Sequence, residues 1–310
     1  METTVNSRNW RRREFLRVAI AAGAAGSMLN AAERNIYWGL GLVTWRGKAS
    51  WPEILSEIEA GGFDGVEPVG PKFLNDEAMA ELERLLPKYK NLRVASIFWN
   101  GQFNLPSEHD RLIKECHQIL GYLKRFGSDR LTMAPPLGDL EDEKAAIAHM
   151  AKMANEIGRI ALEQYNIKTD IHGYVGSLIE NPRQLDMLMD QTDPKYCNLG
   201  PDTAQIWLGG GDPAAIFEKY KHRLVYMHYK DVRGYSRSLK HYVNDQAYKI
   251  DNVIELGRGV IDFPALHRIL KSINYKGWIT IDLDNARVSP MESTKIQREY
   301  ISRVLEPIYR

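Results

Sequence analysis

The sequence predicts an α/β fold, a single (β/α)8 TIM barrel, on three observations. Short apolar or β-branched runs alternate with amphipathic helical segments from Tyr37 to the C-terminus, the pattern of a parallel sheet with helical crossovers. Eight runs of each kind occupy residues 33–310, the length such a barrel needs. Several strand-like runs turn polar at their C-terminal ends, where a parallel barrel assembles its site. An open doubly wound sheet is the alternative. Gly39-Leu40-Gly41 lies within the first strand and lacks a third glycine, so no dinucleotide loop supports it.

In order, strands are expected at Tyr37 to Trp45, Phe63 to Val69, Leu92 to Trp99, Arg130 to Ala134, Ile167 to His172, Cys197 to Asp202, Leu224 to Tyr229 and Trp278 to Leu283. Helices are expected at Trp51 to Ala60, Asn75 to Tyr89, Ser107 to Phe126, Asp142 to Tyr165, Pro182 to Gln191, Pro213 to Tyr220, Phe263 to Ser272 and Glu292 to Glu306. Ser50, Asn181, Asp212 and Asp262 each place a capping oxygen ahead of a proline in a first turn. Gly61-Gly62 and Gly127 stop the helices before them. The one long connection, Arg233 to Gly259, is where an active-site lid is expected.

Residues 1–32 stand apart from this pattern. A basic stretch leads into an apolar run, Val18 to Leu29, shorter than the ~20 residues a bilayer-spanning helix needs. Small residues follow, the grammar of a cleaved export signal. Arg12-Arg13-Glu14-Phe15-Leu16-Arg17 resembles the twin-arginine signal. That resemblance implies passage through the twin-arginine machinery in the folded state, a periplasmic or otherwise exported mature chain, and no stable membrane association after cleavage.

The 41 basic and 40 acidic side chains give a net charge of +1, with no reason to expect nucleic acid as partner. Two cysteines, Cys116 and Cys197, are too few for a disulfide framework and read as buried, inert thiols.

The strand ends collect the chemistry: Glu67, Ser96, His172, Asp202, His228 with Lys230, and Asp282 with Asp284. Residues two apart on a strand share a face, so His228 and Lys230 point together, as do Asp282 and Asp284. His172, Asp202, His228 and Asp282 make a mixed nitrogen and oxygen set without thiolate, suited to one divalent ion, Mn2+ or Zn2+ first, with Mg2+, Co2+ and Fe2+ also compatible. Each has a plainer reading: a histidine satisfied within the core, Asp202 capping a turn, Asp282 in an ion pair. What joins them is that all four fall at the same end of separately placed strands.

Gly62-Phe63-Asp64-Gly65-Val66-Glu67, His172-Gly173-Tyr174-Val175-Gly176-Ser177, Asn198-Leu199-Gly200-Pro201-Asp202-Thr203-Ala204-Gln205, His228-Tyr229-Lys230-Asp231-Val232, Leu256-Gly257-Arg258-Gly259 and Gly277-Trp278-Ile279-Thr280-Ile281-Asp282-Leu283-Asp284 occur in this order. With them the chain from about Ile36 onward resembles the xylose-isomerase-like barrel superfamily, the sugar phosphate isomerase/epimerase group, and within it the inosose-dehydratase-like branch. The resemblance implies a metal at His172, Asp202, His228 and Asp282. The epimerases have glutamate at the first and last of these positions, where this chain has His172 and the shorter Asp282. Gln205, Tyr174 and Arg258 are further departures.

Epimerases of the group are understood to use the two glutamates as paired acid and base. A metal-bound imidazole cannot bridge metal and proton as a two-oxygen carboxylate does, so one-sided elimination is favoured over two-base epimerisation. The expected enzyme is a metal-dependent lyase (dehydratase) or isomerase/epimerase acting on a small keto-sugar or cyclitol by proton abstraction next to a carbonyl. Asp282 or Glu67 is the proton acceptor, and Lys230 steadies the developing oxyanion. Trp45, Gln205, His241 and Arg258 are candidates to contact substrate, and Trp38, Trp99 and Trp207 to stack on sugar rings. The alternative from another class is a non-catalytic sugar-binding barrel with a decayed metal site. Abasic-site DNA cleavage, also found in the superfamily, is opposed by the near-neutral charge and the export signal.

Overall fold

The computed structural model describes residues 35–45, 49–70, 72–137, 142–234, 252–284, 286 and 288–309. The signal expected at residues 1–32 and the candidate His241 lie outside them. Parallel strands β1 (Ile36–Gly41), β2 (Gly65–Glu67), β3 (Arg93–Val94), β4 (Phe98–Asn100), β5 (Arg130–Ala134), β6 (Lys168–Ile171), β7 (Cys197–Leu199), β8 (Tyr226–Tyr229) and β11 (Gly277–Ile281) form two sheets, β3-β2-β1-β11-β8 and β4-β5-β6-β7. Parallel bridges Val69 to Phe98, Leu199 to Leu224 and Asp202 to His228 join the sheets on both sides and close the barrel.

Its outer layer is α1 (Trp51–Ala60), α2 (Asp76–Leu85), α3 (His109–Phe126), α4 (Glu143–Ile160), α5 (Pro182–Met189), α6 (Thr203–Leu208), α7 (Pro213–Tyr220), α8 (Phe263–Ser272) and α9 (Pro290–Tyr300). Their apolar faces pack on the outward side chains of the strands in one continuous core. The expected caps form. Asn181, Asp212 and Asp262 accept backbone N–H groups of their first turns, and Ser50 makes a capping box with Glu53. Among the described residues no helix is long and apolar enough to cross a membrane.

Two expectations are corrected and one helix is added. The first strand stops at Gly41, because Leu42–Trp45 coils into a 3-10 turn. The third strand is broken into β3 and β4 on either side of Ala95 to Ile97. Helix α6 begins directly after Asp202, and its six residues are too few to show helical periodicity.

After β8, Asp231–Val232 (β9) pairs antiparallel with Val253–Ile254 (β10). The Asp231 carboxylate accepts the N–H groups of Val232, Gly257, Gly259 and Ile261 at 2.9–3.2 Å. One buried side chain thus gathers both ends of the 233–259 connection.

Candidate metal centre

Strand pleating builds the mouth in two layers. Asp170, Tyr226 and Thr280 stand two residues before His172, His228 and Asp282, so they share the inward face one step deeper. The lower layer is tied by hydrogen bonds: Ser96 to Thr132 at 2.9 Å, Thr132 to Asp170 at 3.4 Å, and Tyr226 to Thr280 at 2.5 Å. Glycine at the end of β1 and just after β7 leaves room for the carboxylates. A Cβ at Gly200 would stand 2.0 Å from Asp170 Oδ1, and one at Gly41 would stand 2.6 Å from Asp282 Oδ1.

In the upper layer His172, Asp202, His228 and Asp282 are all buried, and each offers a ligand atom within 4.8 Å of the others. It is the one such cluster among the described residues. Asp202 divides its work. Oδ1 caps α6 by accepting the Gln205 N–H at 2.9 Å, while Oδ2 faces His172 Nε2 at 3.4 Å. The capping and metal readings of Asp202 are therefore compatible.

Asp202 Oδ2 and both ring nitrogens of His172 and of His228 lack an aligned hydrogen-bond partner. Buried polar atoms are rarely left so, and one ligand atom from each of the four side chains, all within 4.8 Å of one another, fits a divalent cation of the borderline class.

Lys230 enters from the side. Its ammonium is 2.9 Å from Asp282 Oδ2, 3.3 Å from Asp202 Oδ2 and 3.4 Å from Asp284 Oδ1. Burial works against the charge on Asp202 and Asp282, but Lys230 first, then His172 at Asp202 and His228 at both, outweighs it and holds both below the usual carboxylate range. Glu67 Oε2 lies 2.8 Å from His228 Nε2. Burial opposes a charged His228 ring, yet Glu67, Asp282 and Asp202 push it up to about 9. Asp170, wholly buried and next to the Glu67 charge, is pushed up to about 8.

The remaining candidates scatter. Trp45 is buried and donates its indole N–H to Glu57 at 2.7 Å, since the 3-10 turn carries it off the strand. Gln205 is buried beside the centre, its Oε1 accepting the Val175 N–H at 3.0 Å. Arg258 is exposed and near Glu255 at 3.8 Å. Trp38 and Trp99 are core, the first stacked on His267, the second edge-on to Phe103; Trp207 is half-buried against the core.

The aromatic at the centre is one the sequence reading passed over. Phe98 lies 4.9 Å from the His172 ring and 5.8 Å from the His228 ring, half-buried at the start of β4. Asp170 was also missed, although its place two residues before His172 was the available signal. Beside Asp202 opens an apolar cleft of about 380 Å3, including its open side, walled by Ile179, Leu185, Leu199, Ile206 and Ile216.

Relatives with this architecture are numerous. The inosose dehydratase of Bacillus velezensis is 28% identical over 302 residues, covering 89% of this chain and 99% of that protein. The inosose dehydratase of Halalkalibacterium halodurans is 26% identical over 301 residues, covering 88% and 96%. The crystal structure of the IOLI protein with a zinc atom superposes with a TM-score of 0.72 at 14% identity, covering 88% and 99%. The sequence model of the xylose isomerase-like TIM barrel family matches residues 55–304, and the closed barrel carries its polar centre at the strand ends. The chain belongs to that family.

Proposed function

We propose that this chain is an exported, divalent-metal-dependent enzyme that removes a proton next to a carbonyl of a small keto-sugar or cyclitol and expels a β-hydroxyl as water. Isomerisation is the neighbouring outcome at the same carbon. The relatives with which it aligns over nearly their full length are dehydratases by name, and this chain too is an enzyme. The observation that carries the reading is the buried cluster of His172, Asp202, His228 and Asp282. Those four residues would hold the ion, with zinc or manganese suited to the donor set. Bound there, the ion supplies Lewis-acid polarisation of a carbonyl oxygen.

Asp282 is the proton acceptor, kept ionised by Lys230. Lys230, 2.9 Å away, donates to the oxygen on which negative charge grows. The C–H pair becomes the new double bond, the β C–O bond breaks, and the proton taken by Asp282 goes to the departing hydroxyl. His172 leaves no second carboxylate opposite Asp282 at the first metal position, which favours elimination over two-base epimerisation.

Metal analysis of the purified mature protein tests this reading; no uptake at micromolar Mn2+ or Zn2+ would sink it. In deuterated water, turned-over keto-sugar should carry solvent deuterium at the carbon next to the carbonyl wherever isomerisation competes, and its absence from every product and recovered substrate counts against proton abstraction. Export is tested by fractionation, with the double change Arg12→Lys, Arg13→Lys expected to retain the chain in the cytoplasm.

A further inference from the structure

Glu67 ends β2 and His228 lies on β8, yet the Glu67 Oε2 to His228 Nε2 distance is 2.8 Å and both side chains are buried. The opposite ring nitrogen, Nδ1, faces Asp282 Oδ2 at 3.8 Å; neither nitrogen has an aligned hydrogen-bond partner, and Glu67 is the nearer carboxylate by 1.0 Å. The Tyr226 hydroxyl faces the Glu67 carboxylate from below and is itself held by Thr280. A carboxylate on one imidazole nitrogen fixes which nitrogen carries the proton and how the ring is turned.

We infer that Glu67 is a positioning residue: it holds the His228 Nε2–H so that Nδ1 is the lone pair offered to the metal, with Tyr226 and Thr280 bracing the carboxylate. Glu67 then works through His228 and does not itself take the substrate proton. Phe98, stacked on the His228 ring within 17° of parallel, restricts the same rotation from the mouth side. The inference rests on the metal reading above.

The test is zinc binding to the full mature chain, by competition with a chromophoric chelator, for wild type, Glu67→Gln and Glu67→Ala. Carboxylates that hold a metal-binding imidazole change affinity by roughly 10–100-fold, and a loss in that range is expected for Glu67→Ala. A smaller loss is expected for Glu67→Gln, whose amide oxygen still accepts from Nε2–H. Nitrogen-15 spectra of the zinc-loaded protein provide a readout that a merely structural role would not move: Nε2 protonated and Nδ1 metal-bound in wild type, mixed in Glu67→Ala. Glu67→Gln preserves volume and stands in if Glu67→Ala does not fold. Variants that fold, bind zinc as wild type does and keep the wild-type ring pattern overturn the inference alone. A wild-type protein that takes up no zinc overturns the metal reading with it.

Discussion

Replacing Lys230 by methionine probes the charge balance of the centre. The ammonium is 2% exposed and lies 2.9 and 3.3 Å from oxygens of Asp282 and Asp202. At an effective dielectric of ~20 each contact carries about 5–6 kcal/mol of gross attraction. Desolvation cancels much of this, and removing one partner of a buried pair leaves a net loss of about 3–5 kcal/mol. At roughly 2–4 °C per kcal/mol for a protein of this size, the unfolding midpoint in EDTA should fall by about 6–20 °C. With saturating zinc the deficit should shrink, because the ion compensates the same carboxylates, and zinc should bind more tightly than to wild type. Calorimetry at a fixed scan rate with and without zinc reads both effects. An unchanged midpoint in EDTA, or an equal drop in both conditions, would refute the reasoning.

Asp202→Asn should lower bound metal well below one per chain while the Gln205 amide stays protected from exchange, since asparagine also caps a helix. Gly41→Ala should displace the Asp282 carboxylate, with kcat/KM down about 100-fold and the barrel's circular dichroism retained. His267 is buried against Trp38, and burial pushes its pKa down to about 3. Its folded value lies below the unfolded ~6.5, so its neutral-state stability is whole above pH 6.5 and drains as pH falls toward 3, by up to about 5 kcal/mol. Urea midpoints across that range should slope less steeply in His267→Phe.

Much of this was legible in the sequence because it is local. Capping oxygens ahead of prolines located the helices after Ser50, Asn181, Asp212 and Asp262, and the strand ends pointed to the four buried groups. What stayed hidden depends on register between distant strands. Nothing near Glu67 announces His228, and the placement of Phe98 over two imidazoles follows from a break in the third strand that its apolar run conceals. Tryptophans drew attention as ring platforms, yet their size makes them good core, and three of the four are buried.

Asp231 has a consequence for how the molecule tolerates change. By binding the amides of Val232, Gly257, Gly259 and Ile261, it closes a collar at the base of the connection that follows β8. Lys230 and His228, just before it, are thereby insulated from length and composition beyond the collar. A change of length beyond the collar should therefore leave the His228 and Lys230 geometry as it is.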